Sequence, residues 1–305
     1  MTAHILMIRP IKFGFNQQTA ESNTFQKNSK QTNVQHKALL EFDAFVKILR
    51  SNGVRVTVID DTPEPHTPDS IFPNNWISFH EDGSVFLYPM QAENRRLERK
   101  VFNTIKEAFE EIKLHDLSYF EQQNLFLEGT GSMVLDRQNK LAYACISPRT
   151  NPTVLAEFCR LSGYQAILFR AADQSGKAIY HTNVLMALSD QLAVICLDSI
   201  SDNTEKRLVK EALQQSGKEI VAISLEQMNA FAGNMLQLKN RSDESLLVMS
   251  ETAFLSLKEA QIKTLEKYSK LVHASLNTIE TIGGGSARCM MAEVFLPVKT
   301  ALPQP

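Results

Sequence analysis

FPNNWISFHEDGSVFLYP, residues 72–89, holds two short apolar runs, WISFH and VFLYP, separated by Glu81, Asp82 and Gly83. Asp-Gly between runs rich in aromatic and branched residues predicts a tight hairpin. Working outward, the hairpin follows a polar loop, a β-like run VRVTVI (54–59) and an amphipathic helical stretch that begins near Gln35. This order recurs. Helical stretches begin near Gln35, Glu93, Pro152, Asn203 and Ser256, a spacing of roughly 50 to 60 residues that marks an internal repeat. Each is followed by a short strand (VRVTVI, IKLHDL, QAILFR, EIVAIS, LVHASL) and then by a loop of turn-forming residues. The hairpin returns in the third unit as TNVLMAL and LAVICL, around Ser189 and Asp190. The fifth unit has only CMMAEVFLP after its loop, so its last strand is best supplied by the N-terminal ILMIRP, which would close a ring. No Pro/Gly/Ser-rich linker interrupts the series, and one closed α+β domain spanning 1–305 is expected. An open α/β sheet with coincidentally even spacing is the alternative.

The composition is that of a globular protein with enough apolar residues for a sizeable core. Lys and Arg total 32 against 34 Asp and Glu, with no basic stretch, which argues against nucleic acid and against an anionic membrane as partners. The start, MTAHILMIRP, lacks the basic region and long apolar run of a signal peptide, and no segment is long and apolar enough to span a bilayer; a cytoplasmic location is expected. Of the four cysteines, Cys145 and Cys196 lie in apolar strands and Cys159 in a helical stretch, where each reads as a small buried hydrophobe. Cys289 differs, because it follows Gly283, Gly284 and Gly285 and a short polar segment. ETIGGGSAR is the candidate mobile segment beside it.

Counting each unit from its helix, the start of the second strand should reach the same mouth of the ring in every unit. The residues there are Asn75, Glu128, His181, Asn234 and Cys289: a nucleophile, a base, a carboxylate and two amides. Each also has a structural reading, as a turn former, a cap or a satisfied partner of the backbone, but those readings do not predict a shared repeat phase. The third strand of each unit runs back to the same mouth. Arg95, Arg96, Arg149 and, if the ring closes, Arg9 sit at such ends and could hold a substrate carboxylate. For Arg95 and Arg96 a solvated first helical turn is an equal alternative.

FPNN, FLEGTGSM, SPRT, YHTN and IGGGSARCMM together resemble the pentein superfamily of arginine deiminases, amidinotransferases and dimethylarginine hydrolases, over nearly the whole chain. The resemblance is greatest to bacterial citrulline-utilisation hydrolases. It implies a five-bladed propeller of ββαβ units, with Cys289 as nucleophile, His181 as acid/base and Glu128 as the partner of that histidine. It implies no metal and no organic cofactor. Where guanidine-specific members carry aspartates, this chain has Asn75, with Asn74 beside it, and Asn183. An amide offers a donor and an acceptor to a neutral ureido group, whereas a buried carboxylate would be left unpaired. The expected reaction is therefore citrulline to ornithine, ammonia and carbon dioxide through a covalent Cys289 intermediate. Deimination or dihydrolysis of arginine or an N-blocked arginine, amidino transfer, and a non-catalytic binding protein on the same ring are the rivals. A small amino acid is the expected partner, and the sequence leaves open whether the ring forms a homo-oligomer.

Overall fold

The structure, a computed structural model, describes residues 1–28, 32–110 and 112–299. Strand β1 (His4–Arg9) is followed by a helix, Val34–Ser51, and by β2 (Arg55–Asp60), which lies parallel to β1 with Ile5 opposite Val56. A parallel pair cannot be joined by a tight turn, and the helix supplies the crossover. The pattern repeats in β3 (Ile77–Phe79), β4 (Ser84–Leu87) and β5 (Lys113–Asp116), then in β6 (Val134–Asp136), β7 (Leu141–Cys145) and β8 (Gln165–Phe169). It continues in β9 (Met186–Leu188), β10 (Leu192–Ile195) and β11 (Glu219–Ala222), and in β12 (Leu236–Lys239), β13 (Ser245–Ser250) and β14 (Lys270–Ala274). The last strand, β15 (Ala292–Glu293), pairs antiparallel with β1, Leu6 opposite Ala292. The result is five three-stranded sheets, each an antiparallel pair whose central strand takes a parallel third. The N-terminal strand completes the fifth unit, as the hairpin argument requires. The first strands of successive sheets meet, β15 against β3, β6 against β9 and β9 against β12.

The Glu81-Asp82-Gly83 turn forms as read, with His80 N donating to Ser84 O at 2.9 Å. Helix Pro152–Ser162 starts at Pro152, with the Asn151 side chain accepting from Thr153 N, and stops at Gly163 in the left-handed conformation. Its Phe158 is fully buried, 5.0 Å from Phe86 of β4, so the helix of one unit packs on the sheet of its neighbour. No helix among the described residues is long and apolar enough to cross a membrane. No group of three or more His, Cys, Asp or Glu among them is placed to hold a metal ion.

Three readings change. TNVLMAL is not all strand: Thr182–Leu185 is a helical turn, because the Thr182 hydroxyl donates to Ser132 O at 2.6 Å and accepts from Cys145 N at 2.8 Å. CMMAEVFLP contributes only Ala292–Glu293 to a sheet, and Cys289 sits in the preceding 3-10 turn, Ala287–Met290. The fifth helix is two pieces, Glu251–Ser256, capped by the Ser250 side chain, and Glu259–Glu266.

Candidate active site at one mouth of the ring

All five rim residues lie just ahead of the first strand of their sheet and all are buried: Asn75 and Cys289 on 3-10 turns, Glu128 and His181 immediately before a single helical turn, and Asn234 at the end of a non-helical turn. The turns displace the side chains from the pleat and aim them inward. His181 Nε2 is 2.8 Å from Glu128 Oε2. Asn183 Nδ2 and Asn234 Nδ2 lie 3.5 and 3.3 Å from Cys289 Sγ. Gly131 stands between units: a Cβ there would collide with Asn75 Nδ2 and lie 2.8 Å from His181 Nδ1. With Nε2 committed to Glu128, Nδ1 is the ring nitrogen that faces Gly131 and the Asn75 amide.

Burial drives His181 down to about 4, against the opposing pull of Glu128, so the resting imidazole is neutral and its Nε2–H donates to the carboxylate. Burial would raise Glu128, but Arg149, the His181 contact and Arg95 together hold it well below the usual carboxylate range. Glu128 also accepts from Gln91 N at 3.0 Å, so neither oxygen is left open.

Of the four candidate arginines the structure brings two to the site. Arg95 Nη1 donates to Asn75 Oδ1 at 2.9 Å, its Nε and Nη2 clasp Glu98 at 2.7 and 3.1 Å, and it lies 3.8 Å from both Asp69 and Glu128. Arg149 Nη1 is 3.3 Å from Glu128 Oε2, and its guanidinium stacks over the Tyr180 ring at 4.9 Å. Arg96 turns away onto Met90 O and Gln91 O, since successive residues of a helical turn point about 100° apart and Arg95 takes the inward direction. Arg9 pairs with Asp43 on the outer surface: β1 is buried on both faces from Ile5 to Ile8, and Arg9 is its last residue, where the side chain reaches the helix Val34–Ser51 and solvent. Neither Arg96 nor Arg9 belongs to the cluster.

Several members were invisible in the sequence. Asp69 is buried 3.8 Å from Arg95, and burial pushes its carboxyl up, against Arg95 and Asn16. Glu98, buried and bonded to Arg95, is pushed up to about 8 by burial. The polar segment 14–27 lies across the mouth: Asn16 donates to Asp69 Oδ2 at 2.7 Å, Ser22 Oγ accepts from Arg149 Nε at 3.1 Å, and Asn23 donates to Gly283 O at 3.3 Å. Phe72 and Asn23 pack directly on Gly283–Gly285, so these glycines serve close approach rather than only mobility. A run of amides and hydroxyls looks like a solvated loop in sequence; only Asp69, a charge three residues ahead of FPNN, offered a local signal.

Among the described residues the buried cluster holds two guanidiniums, Arg95 and Arg149, and three carboxyl groups, Asp69, Glu98 and Glu128, of which burial pushes the first two toward the neutral form. Both side-chain atoms of Asn74, Nδ2 of Asn75, Oδ1 of Asn183 and Oδ1 of Asp69 are buried without a partner. Unsatisfied buried polar atoms are costly, and their concentration here suits a binding site for a polar ligand.

The sequence matches, over residues 9–296, the profile of the family described as N,N dimethylarginine dimethylhydrolase, eukaryotic. No curated protein matches it in sequence. Among solved structures, the N-terminal domain of ArgZ, covalently bound to a reaction intermediate, is similar with a TM-score of 0.75 at 18% identity, over 96% of this chain and 99% of that one. Full-length ArgZ, described as an arginine dihydrolase from the ornithine-ammonia cycle in cyanobacteria, gives 0.76 at 17% identity, over 97% of this chain and 41% of that one. A dimethylarginine dimethylaminohydrolase adduct with S-methyl-L-thiocitrulline gives 0.63 at 14% identity, over 96% and 99%. At such identities the likeness establishes the fold, and the five-unit ring is the pentein fold.

Proposed function

This chain belongs to the N,N dimethylarginine dimethylhydrolase family, and on that premise we propose that it is a cysteine-dependent hydrolase of a free amino acid with a terminal ureido or guanidino group, taking citrulline to ornithine. The observation that carries this reading is that the side chains within hydrogen-bond reach of the thiol, Asn183 and Asn234, are amides, as is Asn75 on the same rim. Asn75 has its oxygen committed to Arg95 and presents only its NH2, while Asn183 presents an unpartnered Oδ1. One donor and one acceptor match the oxygen and the NH2 of a ureido group. At the other end, the free Oδ1 of Asp69 suits an α-ammonium. Arg149, whose Nε now rests on the neutral hydroxyl of Ser22, suits the α-carboxylate, which would displace that hydroxyl.

The chemistry follows from these positions. His181 takes the thiol proton at Nδ1, and Cys289 Sγ adds to the ureido carbon, giving a tetrahedral adduct whose oxygen the Asn75 NH2 holds. The imidazolium, stabilised by Glu128, returns the proton to the departing nitrogen and leaves a thiocarbamoyl enzyme. Water, deprotonated by His181, then cleaves the C–S bond, and the carbamate breaks down so that citrulline and one water become ornithine, ammonia and carbon dioxide.

A second reading, in which arginine also enters and is carried through citrulline to ornithine, is favoured by the fold neighbours, which include proteins described as arginine dihydrolases. The test is to incubate the purified chain and its Cys289→Ala variant with citrulline and with arginine, following ammonia and the amino-acid product. Ornithine from citrulline, lost in the variant, supports the proposal. Citrulline accumulating from arginine without further reaction overturns the ureido assignment, and no turnover of either compound overturns the free amino-acid substrate.

A further inference from the structure

We propose that Asn234 is a catalytic residue that holds the sulfur of Cys289, not a substrate contact, and that a strained turn exists to place it. The proposal rests on Cys289 being the nucleophile. A primary amide has two N–H donors and one oxygen with two lone pairs, and every one is spent here. Asn234 Nδ2 lies 3.0 Å from Asn183 O and 3.3 Å from Cys289 Sγ, one N–H for each. Its Oδ1 accepts from Arg288 N at 3.0 Å and is 3.7 Å from Sγ, within reach of an S–H. No capacity remains for a substrate. Asn74 and Asn75, by contrast, keep unpartnered atoms for a ligand, and Asn183 does both, with Nδ2 on the sulfur and Oδ1 unpartnered.

The backbone that delivers this amide is under strain. Phe231, a bulky aromatic, holds φ at 62°, a left-handed conformation that only small or glycine residues adopt readily. Asn234 N donates back to Phe231 O at 2.8 Å, which closes the turn. Gly233 presses onto the strand entry of the neighbouring unit: a Cβ there would collide with Val184 O and lie 2.8 Å from the Leu185 carbonyl carbon. The turn therefore abuts the residues that follow Asn183, and the Asn234 amide bridges two units and the nucleophile turn at once. Phe25 of the N-terminal segment packs on Phe231 at 5.1 Å and on Tyr180 at 6.3 Å, which ties the same turn to the segment across the mouth. Strain of this kind persists where function selects it.

Two amide donors, from Asn234 and Asn183, point at the sulfur, and donors favour the thiolate over the thiol. The charged or titratable groups that sense the sulfur are Arg288, next in chain, and Tyr180, whose hydroxyl donates to Gly284 O at 3.0 Å. Removing the Asn234 donors should therefore hinder thiolate formation without touching substrate binding.

The experiment follows alkylation of Cys289 by iodoacetamide against pH, by mass of the peptide that carries it, in the parent, Asn234→Asp and Asn234→Leu. Asn234→Leu loses both donors without adding charge, whereas Asn234→Asp keeps the size and the acceptor for Arg288 N, loses both donors and adds a carboxylate beside the sulfur that pushes the midpoint the same way. Both variants should shift the alkylation midpoint upward by about one pH unit or more. On whichever of citrulline and arginine turns over, kcat should fall at least about 10-fold with KM altered less than about threefold. An unmoved midpoint in Asn234→Asp overturns the proposal, as does a rise in KM with kcat preserved. Alkylation needs no substrate, so the result stands even if the ureido assignment fails, and the Asp variant decides if the Leu variant does not fold.

Discussion

Arg95 Nη1 donates to Asn75 Oδ1 at 2.9 Å, so the Asn75 amide shows the cavity its NH2 and nothing else. Substituting Asn75→Asp keeps the Arg95 contact and deletes that donor. Citrulline turnover should fall by about 100-fold in kcat/KM, because a site built to bond a polar group discriminates strongly once the partner is removed. Any arginine turnover should fall less, and steady-state kinetics on the two compounds measures the difference.

Gly131 is the second control point. A methyl at its α-carbon would stand 2.8 Å from His181 Nδ1 and closer still to the Asn75 amide, so Gly131→Ala must displace one or both. A displacement of roughly an ångström at a reacting centre costs on the order of 100-fold. The expected variant keeps its circular dichroism spectrum and loses kcat by at least that factor.

Glu128→Gln removes the charge that steadies the imidazolium formed during turnover, while leaving a group of the same size 2.8 Å from His181. A decrease in kcat of about 100-fold or more is expected from the loss of competent acid–base transfer. Retained activity would assign Glu128 a structural role through its contact with Arg149.

The buried histidines should destabilise the fold in acid over a definite window, against Glu98, whose carboxyl, raised to about 8, works in the opposite sense. Burial lowers His181 to about 4, His4 to about 4 and His80 to about 3, from an ordinary 6.5. The unfolded chain therefore binds more protons than the folded one between those values, so stability rises with pH there and is lost as pH falls from 6.5 toward 4. The three together amount to a loss on the order of several kcal/mol. Urea midpoints at pH 7.5 and 5 test the loss, and His80→Gln should reduce the slope.

Phe158 offers a check on the packing alone. Phe158→Ala leaves a void where its ring meets Phe86 and Tyr164, at 5.0 and 5.7 Å, and should cost about 3–5 kcal/mol in urea unfolding. The rings around Phe158, those of His80, Phe86, Tyr88 and Tyr164, include no rim residue, so kcat should change little in the folded variant.

Much of the candidate site was legible because the repeat imposes a phase. Cys289, His181, Glu128, Asn75 and Asn234 are far apart in the chain, yet each stands at the same step of a helix, strand, loop and hairpin cycle, and closure of the ring turns equal phase into proximity. The arginines were less legible. Arg95 and Arg96 are neighbours in sequence, and which of them faces inward depends on the rotation of a helical turn that the hydropathy pattern does not define. Arg9 fell at a matching phase and still lies outside, since its side chain at the end of β1 is taken by Asp43 of the crossover helix. Asp69 and the segment carrying Asn16, Ser22 and Asn23 left almost no trace, because a polar residue buried against a charged cluster looks like a polar residue in water.

What the sequence determined by itself was the architecture and which residues reach the rim: alternation and turn residues define the hairpins, helical periodicity defines the crossovers, and both are local properties of the chain. What the tertiary structure alone decided was the use of each polar group. Asn234 is spent on sulfur, Asn75 on Arg95 through one atom only, and Asn74 and Asp69 are left with unpartnered atoms. Hydrogen bonds and ion pairs are short-ranged and directional, so their partners are set by the closing of five units on one axis, a distance the linear chain does not contain.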